Sequence, residues 1–347
     1  MASDDFSGLM VSADRARDGG GGQREVVIEA AQVSDGHHLP EGPRWHGGRL
    51  WFSDIYSGKV KTLDAEGRLE TVVELDDDDP SGLGFLPDGS LLISCMRTRQ
   101  IRRWCDGKLS VHADLSEYPG TFLNDMTTDA EGNSYVDSVT ARYFDEEGQD
   151  HLVLVRADGS HTLAGSCDEY FPNGVATTND GSTLLMACTF VNQIAAMDIR
   201  PDGTLSGFRF WASTGPCLPD GICVDGDGGL WFGSINTQEF CRVVEGGEIT
   251  HVVPTGDWAA IAPALGGSDG RTLYGAVSDL SGRGQGGYAK AATTWPAYAS
   301  KPADRPADST SGSAVDRAHG VVGAIVTANL PGPAGKDSTA EDSTGAP

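Results

Sequence analysis

Positive charge is the first thing this chain lacks. Lys and Arg total 25 against 50 Asp and Glu, a formal net charge of −25 at pH 7. That balance repels phosphate backbones and anionic membrane surfaces, so nucleic-acid and membrane-surface roles are excluded and the acidity reads as a solubility device. Paired cysteines are missing too. The seven, Cys95, Cys105, Cys167, Cys188, Cys217, Cys223 and Cys241, are scattered, odd in number and without a CxxC. No disulfide framework is expected, only buried thiols in a reducing compartment. There is no HExxH and no histidine cluster to supply zinc with imidazole. No apolar run approaches the roughly 20 residues of a membrane-spanning helix, and the N-terminal stretch has no apolar core of signal-peptide length. The expectation is a soluble, cytoplasmic protein, a monomer or small homo-oligomer. Long helical periodicity is also absent, which leaves an all-β chain.

What is present is repetition. Six times a Gly-rich turn leads into an apolar or aromatic strand: at Gly48 before Leu50-Trp51-Phe52, Gly89 before Leu91-Leu92-Ile93, Gly132 before Tyr135-Val136, Gly181 before Leu184-Leu185, Gly228 before Leu230-Trp231-Phe232, and Gly270 before Leu273-Tyr274. A period of roughly 40–50 residues is that of a four-stranded propeller blade. Each apolar strand is followed by a hairpin, as in Gly58-Lys59-Val60-Lys61-Thr62-Leu63 and then Leu69-Glu70-Thr71-Val72-Val73. The sequence therefore predicts a six-bladed β-propeller with a central metal-binding channel. Residues 1–24 read as a flexible leader, 25–281 as the propeller, 282–317 as a disordered insertion rich in Gly, Ala, Pro, Ser and Thr, 318–335 as a closing strand, and 336–347 as a flexible tail.

Equivalent positions in a radial repeat meet at the axis. About eleven residues before each strand centre stand Glu41, Ser81, Asn124, Asn173, Asp220 and Pro263. Any one of these alone, in Asn-Gly or Asp-Gly contexts, is a turn former; their common register makes a site of them. The carboxylates of Glu41 and Asp220 with the amide oxygens of Asn124 and Asn173 suit one hard divalent metal ion, Ca²⁺ favoured, with Zn²⁺, Mn²⁺ and Mg²⁺ left open. Asp125 is placed to orient Asn124 from behind or to cap the turn. By contrast Asp88, Asp180, Asp227 and Asp269 belong to the repeated turns. His37 and His38 are expected as exposed loop histidines near the mouth of the site, and Asp76-Asp77-Asp78-Asp79 as a solvated loop.

The motifs Glu41-Gly42-Pro43, Asn124-Asp125, Pro172-Asn173-Gly174, Pro219-Asp220-Gly221 with Leu230-Trp231, and Leu265-Gly266-Gly267 resemble those of the SMP-30, gluconolactonase and luciferin-regenerating enzyme family. The resemblance spans about residues 38–280 and resumes at 320–335. It implies a metal held by Glu41, Asn173 and Asp220, with Asn124 on metal or substrate, and hydrolysis of a small lactone. Aldonolactonase members carry an arginine two residues before that asparagine to contact a sugar lactone. Here the position is Phe122, which points to a less polar lactone or another ester-like substrate. The expected chemistry is polarisation of the lactone carbonyl and attack by water, with Asp220 as base, nucleophile or ligand only. The alternatives are a phosphotriesterase-like hydrolase on the same site and a non-catalytic propeller binding module with a structural metal.

Overall fold

A computed structural model describes residues 25–140, 150–167, 171–280 and 322–331. The expected leader 1–24, the insertion 282–317, the tail 336–347 and both ends of the expected closing segment lie outside the described residues. The chain starts with β1 (Val26–Val27) and β2 (Ala31–His37), then builds blade one from β3 (Pro40–His46), β4 (Arg49–Asp54), β5 (Lys59–Asp64) and β6 (Leu69–Glu74). Blade two is β7 (Pro80–Phe85), β8 (Leu91–Cys95), β9 (Gln100–Cys105) and β10 (Lys108–Asp114). Blade three is β11 (Phe122–Thr128), β12 (Ser134–Val139), β13 (His151–Val155) and β14 (His161–Ser166). Blade four is β15 (Pro172–Thr177), β16 (Thr183–Cys188), β17 (Gln193–Ile199) and β18 (Leu205–Ser213). Blade five is β19 (Pro219–Val224), β20 (Leu230–Ser234), β21 (Glu239–Val243) and β22 (Ile249–Pro254), with β1 added in parallel to its outer edge.

Blade six closes the ring. Its inner strands are β23 (Ala259–Gly266) and β24 (Thr272–Asp279), its third is β25 (Val322–Asn329), and its outer strand is the N-terminal β2. An early strand and the last described strand thus meet in one sheet, so opening the ring means breaking the β2–β25 ladder, in which His37 opposes Gly323. The inner strands β3, β7, β11, β15, β19 and β23 each touch the next, and β23 touches β3. This is a six-bladed β-propeller.

Alternation along the strands sends apolar side chains into the gaps between blades, and six seams result. Val60 and Leu83 fill the first, Leu92 and Val136 the second, Tyr135 and Leu184 the third, Leu185 and Phe232 the fourth, Trp231 and Leu273 the fifth, and Phe52 and Ile325 the sixth. Trp231, Tyr135, Phe52, Phe232 and Phe240 are wholly buried there, each contributing about 1.5–3 kcal/mol of burial free energy. The repeated turns are Asx turns: Asp88, Asp180 and Asp269 accept the amide two residues on. In blade five Asp225, rather than Asp227, does so, taking the Asp227 and Gly229 amides.

Candidate functional site at the centre of the ring

Every inner strand carries a one-residue β-bulge near its start, between Glu41 and Arg44, Pro80 and Leu83, Leu123 and Met126, Pro172 and Val175, Pro219 and Ile222, and Ala260 and Ala262. A bulge re-aims the side chain it contains, and Glu41, Ser81, Asn124, Asn173 and Asp220 sit at these bulges. In blade six the register corrects the sequence reading. Ala260 opposes Val277 as Pro219 opposes Ser234, so Ile261, not Pro263, holds the equivalent position, and Pro263 lies opposite Gly275. Counting back from the strand centre stopped two residues short because β23, at eight residues, is the longest inner strand.

Close approach of the inner strands depends on the residue after each bulge position. A Cβ on Gly174 would lie 2.5 Å from the Ile222 nitrogen and 2.6 Å from the Asp220 oxygen, and one on Gly82 2.3 Å from the Met126 nitrogen. Only a bare backbone fits there. Blade three places Asp125, and blade six Ala262, where the other four have Gly42, Gly82, Gly174 and Gly221.

A chain of hydrogen bonds links the bulge residues. Ser81 Oγ donates to Asn124 Oδ1 at 3.1 Å, Asn124 Nδ2 to Asn173 Oδ1 at 3.1 Å, and the Asn173 side chain bonds the Asp220 carboxylate. Asn124 is fixed from behind by Asp137 on β12, which accepts its backbone N–H at 3.0 Å and its Nδ2 at 3.5 Å. Thr189 accepts from Asn173 Nδ2 at 3.4 Å and donates to the Pro219 carbonyl at 2.8 Å. Asp125, expected behind Asn124, instead faces Arg44: the guanidinium reaches it at 3.3 Å and also bonds the Met126 carbonyl.

Four carboxyls share this small space. Burial, then the charges of Asp220 and Asp125, hold Glu41 well above the usual carboxylate range. Burial and Asp125 push Asp220 up to about 8, and burial and Asp125 raise Asp137 well above its ordinary value. Asp125 is also raised by burial, with Arg44 opposing. Such displacement favours the neutral acids, and positive charge among them would favour the ionised forms. Oxygen donors of this kind, two of them neutral amides, fit a hard divalent cation.

Two residues ahead of Asn124 and Asn173 stand Phe122, the first residue of β11, and Phe171, just before β15. Both are buried, in a seventh apolar cluster with Ile55, Tyr56, Met96 and Val139. Phe122 therefore belongs to an apolar cluster drawn from blades one to four, together with Phe171, its counterpart in blade four. Phe171 takes φ of 47° and Leu39, two before Glu41, φ of 68°, a left-handed backbone that bulky residues adopt only when their surroundings impose it.

Three other sequence readings change. His37 is no loop residue: fully buried, it lies 3.2 Å from Lys61 Nζ and 2.9 Å from Ser34 Oγ and packs edge-on against Phe52, while Lys61 pairs with Asp54 at 2.6 Å. The run at Asp76–Asp79 is solvated only at its start, where Asp76 and Asp77 stay exposed. Asp78 is buried, taking the Arg97 and Thr98 amides; Asp79 is buried against Arg97 at 3.2 Å; and Arg102 grips Asp77 with both its terminal nitrogens at 2.8 Å. Turn backbone needing acceptors, with Arg97 beside it, draws Asp78 and Asp79 inward. Third, the scattered cysteines are not all solitary: Cys217 and Cys241 come together beside Glu239.

Asp137 and Arg44 are the site residues that sequence reasoning missed. For Asp137 a signal existed, an acid inside the otherwise apolar strand Tyr135-Val136-Asp137. No helix among the described residues is long and apolar enough to cross a membrane.

Comparison with known proteins agrees with this architecture. Residues 39–278 match the profile of the SMP-30/gluconolactonase/LRE-like region. Pentonolactonase XacC of Haloferax volcanii is 30% identical over 258 residues, covering 72% of this chain and 84% of its own. Among solved structures, a gluconolactonase from Xanthomonas campestris superposes with a TM-score of 0.63 at 20% identity, covering 87% of this chain and 89% of its own. The calcium-binding protein regucalcin from Agrobacterium tumefaciens superposes at 0.64 and 20%, covering 88% and 97%. This chain belongs to the SMP-30/gluconolactonase/LRE-like family.

Proposed function

We propose that the protein is a metal-dependent lactonase whose site is the bulge cluster of Glu41, Asn124, Asn173 and Asp220. The observation that carries the reading is the hydrogen-bonded chain from Ser81 through Asn124 and Asn173 to Asp220, facing Glu41 in a space with an excess of carboxylates. The pentonolactonase relative supports the reaction class, and the calcium-binding neighbour supports a divalent ion. Glu41, Asn173, Asp220 and Asn124 would hold the ion, Ca²⁺ by the match of hard charged and neutral oxygens. When bound, it supplies Lewis-acid polarisation of the lactone carbonyl and stabilisation of the oxyanion that develops there.

The chain's own residues do the rest. Asp220, fixed by Asn173, orients the attacking water. Asn124 is held by Asp137 through its backbone N–H and Nδ2, with its amide oxygen accepting from Ser81. Arg44 offsets the charge of Asp125, keeping one acid from repelling the substrate. Phe122 and Phe171 exclude bulk water above the site and favour a lactone whose ring presents apolar carbons. That contact distinguishes this chain from an aldonolactonase carrying arginine at position 122.

The test is hydrolysis of a panel of sugar and alkyl lactones, with a phosphotriester beside it, by metal-stripped and metal-replenished protein. The reading predicts metal-restored lactone hydrolysis, lost by at least a hundredfold in Asp220→Ala, roughly the weight of one essential charge-stabilising group. Faster turnover of the phosphotriester, or an Asp220→Ala variant as active as the parent, would refute it.

A further inference from the structure

The fold assembles a second donor set that shares no residue with the central cluster and differs from it in chemistry. Cys217 lies in the loop joining β18 to β19. Glu239 and Cys241 lie on one face of β21, two residues apart, as strand geometry requires. Their ligand atoms, two thiol sulfurs and a carboxylate oxygen, all fall within 4.8 Å of one another, and all three residues are buried. They open onto a cavity of about 170 Å³ that Glu25 also lines. The cysteines are unbridged.

We propose that Cys217, Glu239 and Cys241 form a binding site for one borderline-soft divalent cation, Zn²⁺ by chemical class, independent of the central site. Two sulfurs bound to zinc at about 2.3 Å in a tetrahedron stand about 3.8 Å apart, so the observed cluster needs little contraction to close. Thiolates select such an ion over Ca²⁺, just as the oxygen donors at the centre select the reverse. Binding replaces the two thiol protons, which pass to solvent, and leaves the fourth tetrahedral position to water in the cavity.

The surroundings are built to hold the sulfurs in place. Thr237 Oγ1 sits 3.6 Å from the Cys217 sulfur. The Cys217 backbone is pinned by the Thr214 hydroxyl at 2.9 Å and by Asn192 Nδ2 at 2.7 Å. Outer contacts of this sort orient metal ligands. The occupied site would tie the blade-four exit loop to β21, three residues ahead of Asp220.

The experiment is titration of the reduced, chelator-treated full chain with Co²⁺ alone, read by thiolate-to-metal charge-transfer absorption. Oxygen ligands at the centre give no such band. One equivalent should saturate the band, which should fall severalfold in Cys217→Ser and Cys241→Ser and persist in full in Asp220→Asn. No band with the parent protein, or a band unchanged in both cysteine variants, overturns the proposal. A measurement free of folding defects uses the unaltered protein: Zn²⁺ alone should protect two thiols from alkylation, mapped to Cys217 and Cys241, and release about two protons. Protection of neither, or recovery of a Cys217–Cys241 disulfide that forms in air despite Zn²⁺, overturns it equally.

Discussion

Acid should loosen the point where the ring is latched, and His37 is the reason. The residue closes β2 opposite Gly323 and is fully buried between Phe52, Ser34 and Lys61. Burial first, then the Lys61 ammonium, lower its pKa from 6.5 to about 4, against weaker opposing pulls from Asp54 and Asp35. Between those values the unfolded chain takes up a proton that the folded chain refuses, so stability present above pH 6.5 is lost as the pH falls toward 4. At about 1.4 kcal/mol per pH unit, the loss attributable to His37 between pH 7 and pH 5 is about 2 kcal/mol, approaching about 3 kcal/mol near pH 4. The raised carboxyls at the centre act oppositely, since the folded chain there binds protons the unfolded chain has released. Comparison with His37→Gln, whose amide oxygen still accepts from Lys61, cancels that contribution. The assay is urea unfolding of chelated parent and variant from pH 7 to pH 4.5, and the parent's advantage over the variant should shrink by about 2 kcal/mol by pH 5. Parallel stability curves across that range would refute the reasoning.

The same geometry gives three further outcomes. Gly174→Ala forces a Cβ onto the Asp220 and Ile222 backbone and should cost about 3 kcal/mol in chemical unfolding while weakening metal binding at the centre; an unchanged midpoint would contradict the packing described. Arg44→Met leaves Asp125 unpaired among carboxylates and should destabilise the metal-free protein by about 3 kcal/mol, while divalent-cation affinity measured by calorimetry rises. Asp137→Ala removes the acceptor that fixes Asn124 and should weaken that affinity roughly tenfold to a hundredfold with the protein still folded by circular dichroism.

The ring was legible because its grammar is local: a glycine turn, an apolar strand and a polar hairpin recur at blade spacing, and each Asx turn declares itself in a few residues. The same register found Glu41, Ser81, Asn124, Asn173 and Asp220, since equivalent bulges place them together. It failed in blade six, where longer inner strands moved Ile261 into the place expected for Pro263. The late closing strand was readable, as β25 in blade six, but β2 as the outer strand was not, because pairing β2 with β25 joins segments nearly 300 residues apart. Residues whose environment comes from other blades were misjudged for the same reason. His37 and Asp78 look like loop residues until Lys61, Phe52, Arg97 and Thr98 surround them. Arg44 carries no local sign that it will cross to Asp125, and Cys217 and Cys241 form no spaced motif because β19 and β20 separate them along the chain and the β18–β19 loop meets β21 only in the fold.

The central claim is that Glu41, Asn124, Asn173 and Asp220 hold one divalent cation on which lactone opening depends. Calorimetric titration of the chelated protein with Ca²⁺, run alongside lactone hydrolysis at each addition, tests it most directly. The account predicts one ion bound at the centre, activity rising in step with its occupancy, and both lost in Asp220→Ala. Full lactone hydrolysis by the chelated protein, or Ca²⁺ uptake unchanged by Asp220→Ala, would contradict it.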